Sequence, residues 1–222
     1  MTYILIGLIV ILFAVVSISK IVISRNLKKY FDERDFESYH KYLNSLLVKV
    51  YVRPFNIEMN RLMGYIADFD DKNTEKQLHY MLNKINLTKQ QKGQVADKGF
   101  YLYLKKENFK KCKEMMALID EMKTKPSDYN SIKTVCDIFC ENKWNHIEEL
   151  EDAIQELNEK SFNPKQKKLN TGIYEYMIAY QYQSKGDLNN TKKYLDSALG
   201  KCQGTPYEAK IKNMLANIKK KV

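Results

Sequence analysis

Glycine and proline are scarce in this 222-residue chain, eight and four respectively, against frequent Leu, Ile, Met, Tyr and Lys. That balance suits a mostly helical protein and argues against a strand-and-turn architecture. Four cysteines, Cys112, Cys136, Cys140 and Cys202, form no close-set framework, so they read as reduced residues of a reducing compartment. Cys136 and Cys140 share a helix face, but no second pair completes a zinc site, and buried apolar thiols are the expected reading. Also missing are a Gly-rich phosphate loop, a Gly-x-Ser-x-Gly elbow and a zinc-protease motif. The three histidines, His40, His79 and His146, fall in different predicted hairpins. His146 and Glu149 lie three apart on one predicted helix, without further ligands from other helices, so a solvated His is expected. No enzymatic activity, metal or cofactor is expected.

What is present begins at the N-terminus. No charged residue occurs from Tyr3 to Ser19, and after Lys20 the apolar run continues to Ile23. A helix from Tyr3 to Ser24 would be about 33 Å long, enough to cross the hydrocarbon of a bilayer. A cleaved signal peptide is the competing reading, but no basic residue precedes the apolar run and no clear small-x-small site follows it. Lys20, Arg25, Lys28 and Lys29 all lie on the C-terminal side, which places the remainder in the cytoplasm and those cations beside anionic lipid headgroups. The expected organisation is a single-pass anchor over 1–25 and a helical domain over 26–222.

Within that domain the punctuation marks helices in pairs. The first helix runs on to about Phe31, and a single helix spans Phe36 to Val50. Beyond Pro54, Ile57–Phe69 pairs with Thr74–Ile85, and Gln91–Lys105 pairs with Phe109–Met122. After Pro126, where Ser127 or Asp128 can cap, Tyr129–Cys140 pairs with Trp144–Asn158. A long helix from Lys165 to Ser184 then leads through Gly186-Asp187 to a hairpin partner ending near Leu199. A capping helix occupies 205–221 and ends in Lys219-Lys220-Lys221.

The hairpin from Ile173 to Leu199 resembles a tetratricopeptide repeat. It has a small residue mid-way along its first helix (Ala179), an aromatic three later (Tyr182), Gly186-Asp187 at the turn, and small Thr191 and Ala198 on the second helix. Glu175 and Gln203 stand where the family places its Trp and closing Pro. The starts of the second helices, Phe36, Asn73 or Thr74, Phe109, Trp144 and Leu188, mostly fall near the family's roughly 34-residue period, with a longer last interval. The resemblance implies an all-α fold, a transmembrane helix followed by an α-solenoid of antiparallel helix pairs. A non-repetitive helical bundle is the alternative.

In such a solenoid the first helices line a groove. Aligning the turns puts Arg61, Asp97, Ile132 and Tyr176 in one row and Tyr65, Tyr101, Cys136 and Tyr180 in the next, a surface expected to hold a protein or peptide partner. These rings could instead fill gaps between neighbouring repeats. The family's carboxylate clamp has no counterpart in these rows. The acidic helix carrying Glu148, Glu149, Glu151, Asp152, Glu156 and Glu159 is expected to be a solvated outer face. A net charge of +10 suits anionic surroundings. The expected function is therefore a membrane-anchored adaptor or scaffold. The alternative is binding of anionic lipid or nucleic acid by the basic surface, nucleic acid being the less expected of the two.

Overall fold

The computed structural model describes residues 2–159 and 163–219, with side chains described for 10–159 and 163–218. The side chains of 3–9, at the start of the expected anchor, and Lys220 and Lys221, at the end of the expected cap, lie outside the described residues. Among those described there are twelve helices and no strand. They are α1 (Thr2–Asp32), α2 (Phe36–Leu43), α3 (Leu46–Tyr51), α4 (Pro54–Ala67), α5 (Asp71–Lys84), α6 (Lys89–Lys105), α7 (Phe109–Asp120), α8 (Tyr129–Phe139), α9 (Ile147–Glu159), α10 (Pro164–Ser184), α11 (Leu188–Lys201) and α12 (Pro206–Lys219).

The chain forms two compact units, Met1–Pro126 and Ser127–Val222. The division follows the end of α7, where the Lys125 ammonium donates to the carbonyls of Ile119 and Asp120 and so satisfies acceptors that a continuing helix would have used.

In the first unit, α1 is long and apolar enough to cross a membrane, and its large side chains from Val10 to Val22 stand mostly exposed. From Ile23 onward it joins the core. Ile23, Tyr39, Leu43, Val48 and Ile57 form one buried cluster that ties α1 to α2, α3 and α4. Leu62, Leu78, Met81, Val95 and Leu102 form the next, across α4, α5 and α6. Consecutive helices pack on one another, α4 on α5, α5 on α6 and α6 on α7. The α6–α7 contact is close because Gly93 has no side chain; a Cβ there would clash with the Met122 side chain and sit 3.1 Å from the Leu118 carbonyl of α7. The second unit is built likewise. Ile138, Leu150, Met177 and Ile178 join α8, α9 and α10, and Tyr176, Ala179, Leu195, Cys202 and Ile211 join α10, α11 and α12.

Several helix boundaries differ from the sequence reading; α4 and α5 each begin three residues earlier, at Pro54 and Asp71, and two other differences have a clear cause. The single helix expected over Phe36–Val50 is broken at Asn44, because Ser45 is extended and its hydroxyl caps the amide of Val48 at the start of α3. The helix expected from Trp144 begins instead at Ile147. There the amide of Lys143 reaches back to the carbonyl of Asp137, and the amide of His146 is held by Gln181 Oε1, 3.0 Å away. Asp128 occupies the cap position of α8 without a side-chain capping bond.

Four turns share one geometry. A residue of positive φ, namely Arg34 (58°), Phe69 (58°), Glu107 (54°) or Gly186 (77°), closes the first helix of each pair. The following residue donates its amide to a tyrosine carbonyl five positions back: Asp35 to Tyr30, Asp70 to Tyr65, Asn108 to Tyr103 and Asp187 to Tyr182. The same residue then caps the next helix, accepting from the amides of Ser38, Asn73, Lys111 and Asn190 respectively. A Schellman closure and an N-cap are thus fused at one residue. Eight positions beyond each cap lies a buried apolar side chain: Leu43, Leu78, Met116 and Leu195.

Candidate partner-binding surfaces

The turn geometry sets the register of the residues expected to line a groove. Counted back from the cap, Asp97 and Tyr176 stand at eleven, and Tyr101 and Tyr180 at seven. Arg61 and Tyr65 stand at nine and five from Asp70, two residues out of step with their rows. Two residues turn a helix through about 200°, so the shift moves a side chain to the opposite face. Tyr65 accordingly stacks on His40 within the first unit, ring centroids 4.2 Å apart. Arg61 is held there by Glu58, at 3.1 Å, and by Asn44, at 3.0 Å. His40 packs beside Gly64 with neither ring nitrogen hydrogen-bonded, and burial, reinforced by the Arg61 charge, pulls its pKa below the ordinary imidazole value.

In the second unit most of the expected row faces inward. Ile132, Cys136 and Tyr176 are buried; Phe139 of α8 stacks on Tyr176 at 6.0 Å and also contacts Tyr180 at 4.9 Å. These rings fill the space between helices, and only Tyr180 remains half-buried. The Cys136 thiol is pushed well above its usual range by its hydrogen bond with Cys140 and by burial. Reactivity that depends on a thiolate is correspondingly suppressed.

Asp97 and Tyr101 are the pair the structure brings together at a surface. They lie one turn apart on α6, and Asp97 borders a cavity of about 540 Å³ between α4 and α6. Phe55, Met59 and Met122 give it apolar walls, and Gln94, Asp97 and Lys98 give it polar ones. Asp97 is only 7% exposed. Its Oδ2 pairs with Lys98 Nζ at 2.6 Å, while its Oδ1 has no hydrogen-bond partner. Tyr101 is 45% exposed. Its ring meets the buried Phe100 ring edge-on, centroids 5.7 Å apart.

A larger hollow of about 1200 Å³ lies between α5 and α7. In it Glu75 binds Lys106 at 2.7 Å and Lys111 at 2.8 Å, and Lys111 sits 4.5 Å over the Tyr103 ring. Hydrogen bonds from the two lysines hold the Glu75 carboxyl down to about 2. A cation directed at Glu75 would have to displace formed pairs. A third cavity, of about 790 Å³, lies against the lower part of α1.

Two further expectations can be placed. The side chain of His146 is largely buried rather than solvated; its Nδ1 is 2.7 Å from Glu149 and its Nε2 3.4 Å from Asp137. The six acidic side chains of α9 are all exposed, while Leu150 and Leu157 turn inward. No cluster of three or more His, Cys, Asp or Glu side chains suited to a metal ion occurs among the described residues.

The fold defines an all-helical protein with one N-terminal helix long and apolar enough to span a membrane. No protein-family model, curated protein or solved structure matches the chain.

Proposed function

We propose that the protein is a membrane-tethered helical-repeat adaptor, in which the groove between α4 and α6 holds an extended segment of a partner protein. The observation that carries this reading is Asp97 Oδ1, buried at that groove and without a donor. A buried acceptor left unsatisfied costs on the order of 1–3 kcal/mol, which a backbone N–H or a Lys or Arg of the partner would recover. Phe55 and Met59 in the groove, and the exposed Tyr101 one turn along α6 from Asp97, supply the apolar and amphipathic contact area that anchors such a segment.

The shared turn geometry and the packing of each helix on its sequence neighbour support the tetratricopeptide-like solenoid, in which α4 and α6 are both first helices and line the concave side. The apolar span of α1, followed by Arg25, Lys28 and Lys29, supports an anchor with both units on the cytoplasmic side. The mechanism is binding alone: the anchor raises local concentration at the membrane, and the groove selects the partner.

The test places a photo-crosslinking side chain at Tyr101 and, as a control, at Tyr80 of α5, which is also 45% exposed. The expected result in native membranes is a discrete protein adduct from Tyr101 and none from Tyr80, lost when Asp97→Asn is added. Equal labelling at both positions, or an adduct indifferent to Asp97→Asn, would overturn the groove.

A further inference from the structure

We propose that α3 is a second membrane contact, a short helix lying in the plane of the bilayer surface where α1 leaves it, so that the first unit is docked on lipid as well as tethered to it. The inference rests on the reading of α1 as the anchor.

The level of α3 follows from contacts along α1. Helix α2 runs back beside it: Phe36 meets Phe31 with ring centroids 5.6 Å apart, Tyr42 meets Tyr30 at 5.9 Å, and the Tyr42 hydroxyl accepts from Asn26 Nδ2 at 3.1 Å. The next helix therefore lies still nearer the apolar end. Val48 of α3 is buried in the same cluster as Ile23, and Tyr51, Val52 and Arg53 border one cavity with Lys20, Ile23 and Ser24. That is where the exposed apolar surface of α1 gives way to Arg25, Lys28 and Lys29.

Val48 faces the core, and the opposite side of α3 has no protein cover among the described residues of its unit. Leu46 is 78% exposed, Val50 64% and Leu47 37%. Leu46 and Val50, four apart, stand on one face, and Lys49 and Arg53 flank it. Apolar side chains grouped on one face with cations at its border are what an interfacial helix presents to acyl chains and headgroups.

Lipid is favoured over a second copy of the chain on two grounds. A self-complementary contact would bring Lys49 and Arg53 of both copies together. A face three residues wide on a six-residue helix also falls far short of the roughly 800 Å² per partner of a stable protein interface. α3 packs through Val48 in the cluster of Ile23, at the end of the exposed apolar span of α1, and the cations of its uncovered face complement an anionic leaflet.

The test uses the full chain in vesicles of phosphatidylcholine and phosphatidylglycerol with brominated acyl chains, in a Trp144→Phe background that removes the single native tryptophan. Tryptophan is introduced one site at a time: Leu46→Trp and Val50→Trp report on α3, Phe13→Trp on the anchor, and Tyr80→Trp on a surface away from lipid. The inference expects the α3 probes to lose emission to bromine about as strongly as Phe13→Trp, with Tyr80→Trp unchanged. Quenching of Phe13→Trp alone would overturn the α3 contact and leave the anchor standing. No quenching at Phe13 or at α3 would overturn the anchor and this inference with it. Protection of Leu46→Trp from aqueous iodide without bromine quenching would put protein on that face and overturn the lipid assignment.

Discussion

The turn joining α4 to α5 and the turn joining α10 to α11 carry the same residues at the capping side-chain bonds and at the buried position eight beyond the cap, and differ at others. Both read Tyr-x-x-x-x-Asp-x-x-Asn-Thr-x-x-x-Leu, from Tyr65 to Leu78 and from Tyr182 to Leu195. In each, the Asp carboxylate caps the Asn amide and also binds the Asn side chain at 2.6 Å, and the buried Thr hydroxyl donates to the Asp carbonyl. The difference lies at the residue of positive φ, which is Gly186 in one turn and Phe69 in the other. Phe69 is 72% exposed, and the Arg34 guanidinium lies 5.9 Å from its ring. The comparison teaches that the turn is specified by its cap and its buried Leu; glycine only relieves strain. That is why Glu107-Asn108 and Arg34-Asp35 make the same closure without any glycine.

The most severe way to test this equivalence is to remove the paired leucines. Leu78 and Leu195 are both fully buried. Leu78→Ala and Leu195→Ala are each expected to cost roughly 3 kcal/mol, read by urea unfolding in detergent. Costs that differ by more than about 1 kcal/mol would mean the two turns rest on unlike cores.

A smaller effect probes the position where they differ. Left-handed backbone costs an L-residue about 1 kcal/mol or more, so Gly186→Ala should destabilise by about that amount. Phe69→Gly should stabilise by roughly 0.5 kcal/mol, the relieved strain exceeding glycine's entropy cost and the lost Arg34 contact. A loss of stability in Phe69→Gly would show that the ring contributes more than the strain it imposes.

The smallest effect is a pH dependence. Hydrogen bonds from Asn73 and Asn190 lower the pKa of the Asp70 and Asp187 carboxyls in the folded state. Groups lowered on folding stabilise above the ordinary Asp value, and that contribution is lost as the pH falls through the lowered folded-state value. Asp70→Asn and Asp187→Asn should each flatten the acid limb of the stability profile, whereas Asn108→Asp should steepen it. An acid limb unchanged by all three would remove the caps from the account.

Much of the helical plan was legible because caps, prolines and glycines act over three or four residues. The Asp-x-x-Asn-Thr repeat at 70 and 187 was also available as a signal; aligning on it would have put Tyr65 beside Tyr182 instead of Tyr101. The groove was less legible. A one- or two-residue error in alignment rotates a helical position by about 100° or 200°, and no local signal separates a tyrosine that fills a gap from one that faces solvent. Tyr176 and Tyr101 look alike in sequence, but Phe139 covers the first, while the second is 45% exposed.

By itself, then, the sequence determined that the chain is helical, roughly where most helices lie and that the first could span a membrane, because capping residues and apolar runs are properties of adjacent residues. Tertiary structure alone decided that Asp97 keeps an unpaired oxygen beside the α4–α6 groove and that Leu46 and Val50 stand uncovered near the apolar end of α1. Burial is a property of neighbours brought together from distant parts of the chain, and no local pattern encodes which neighbour arrives.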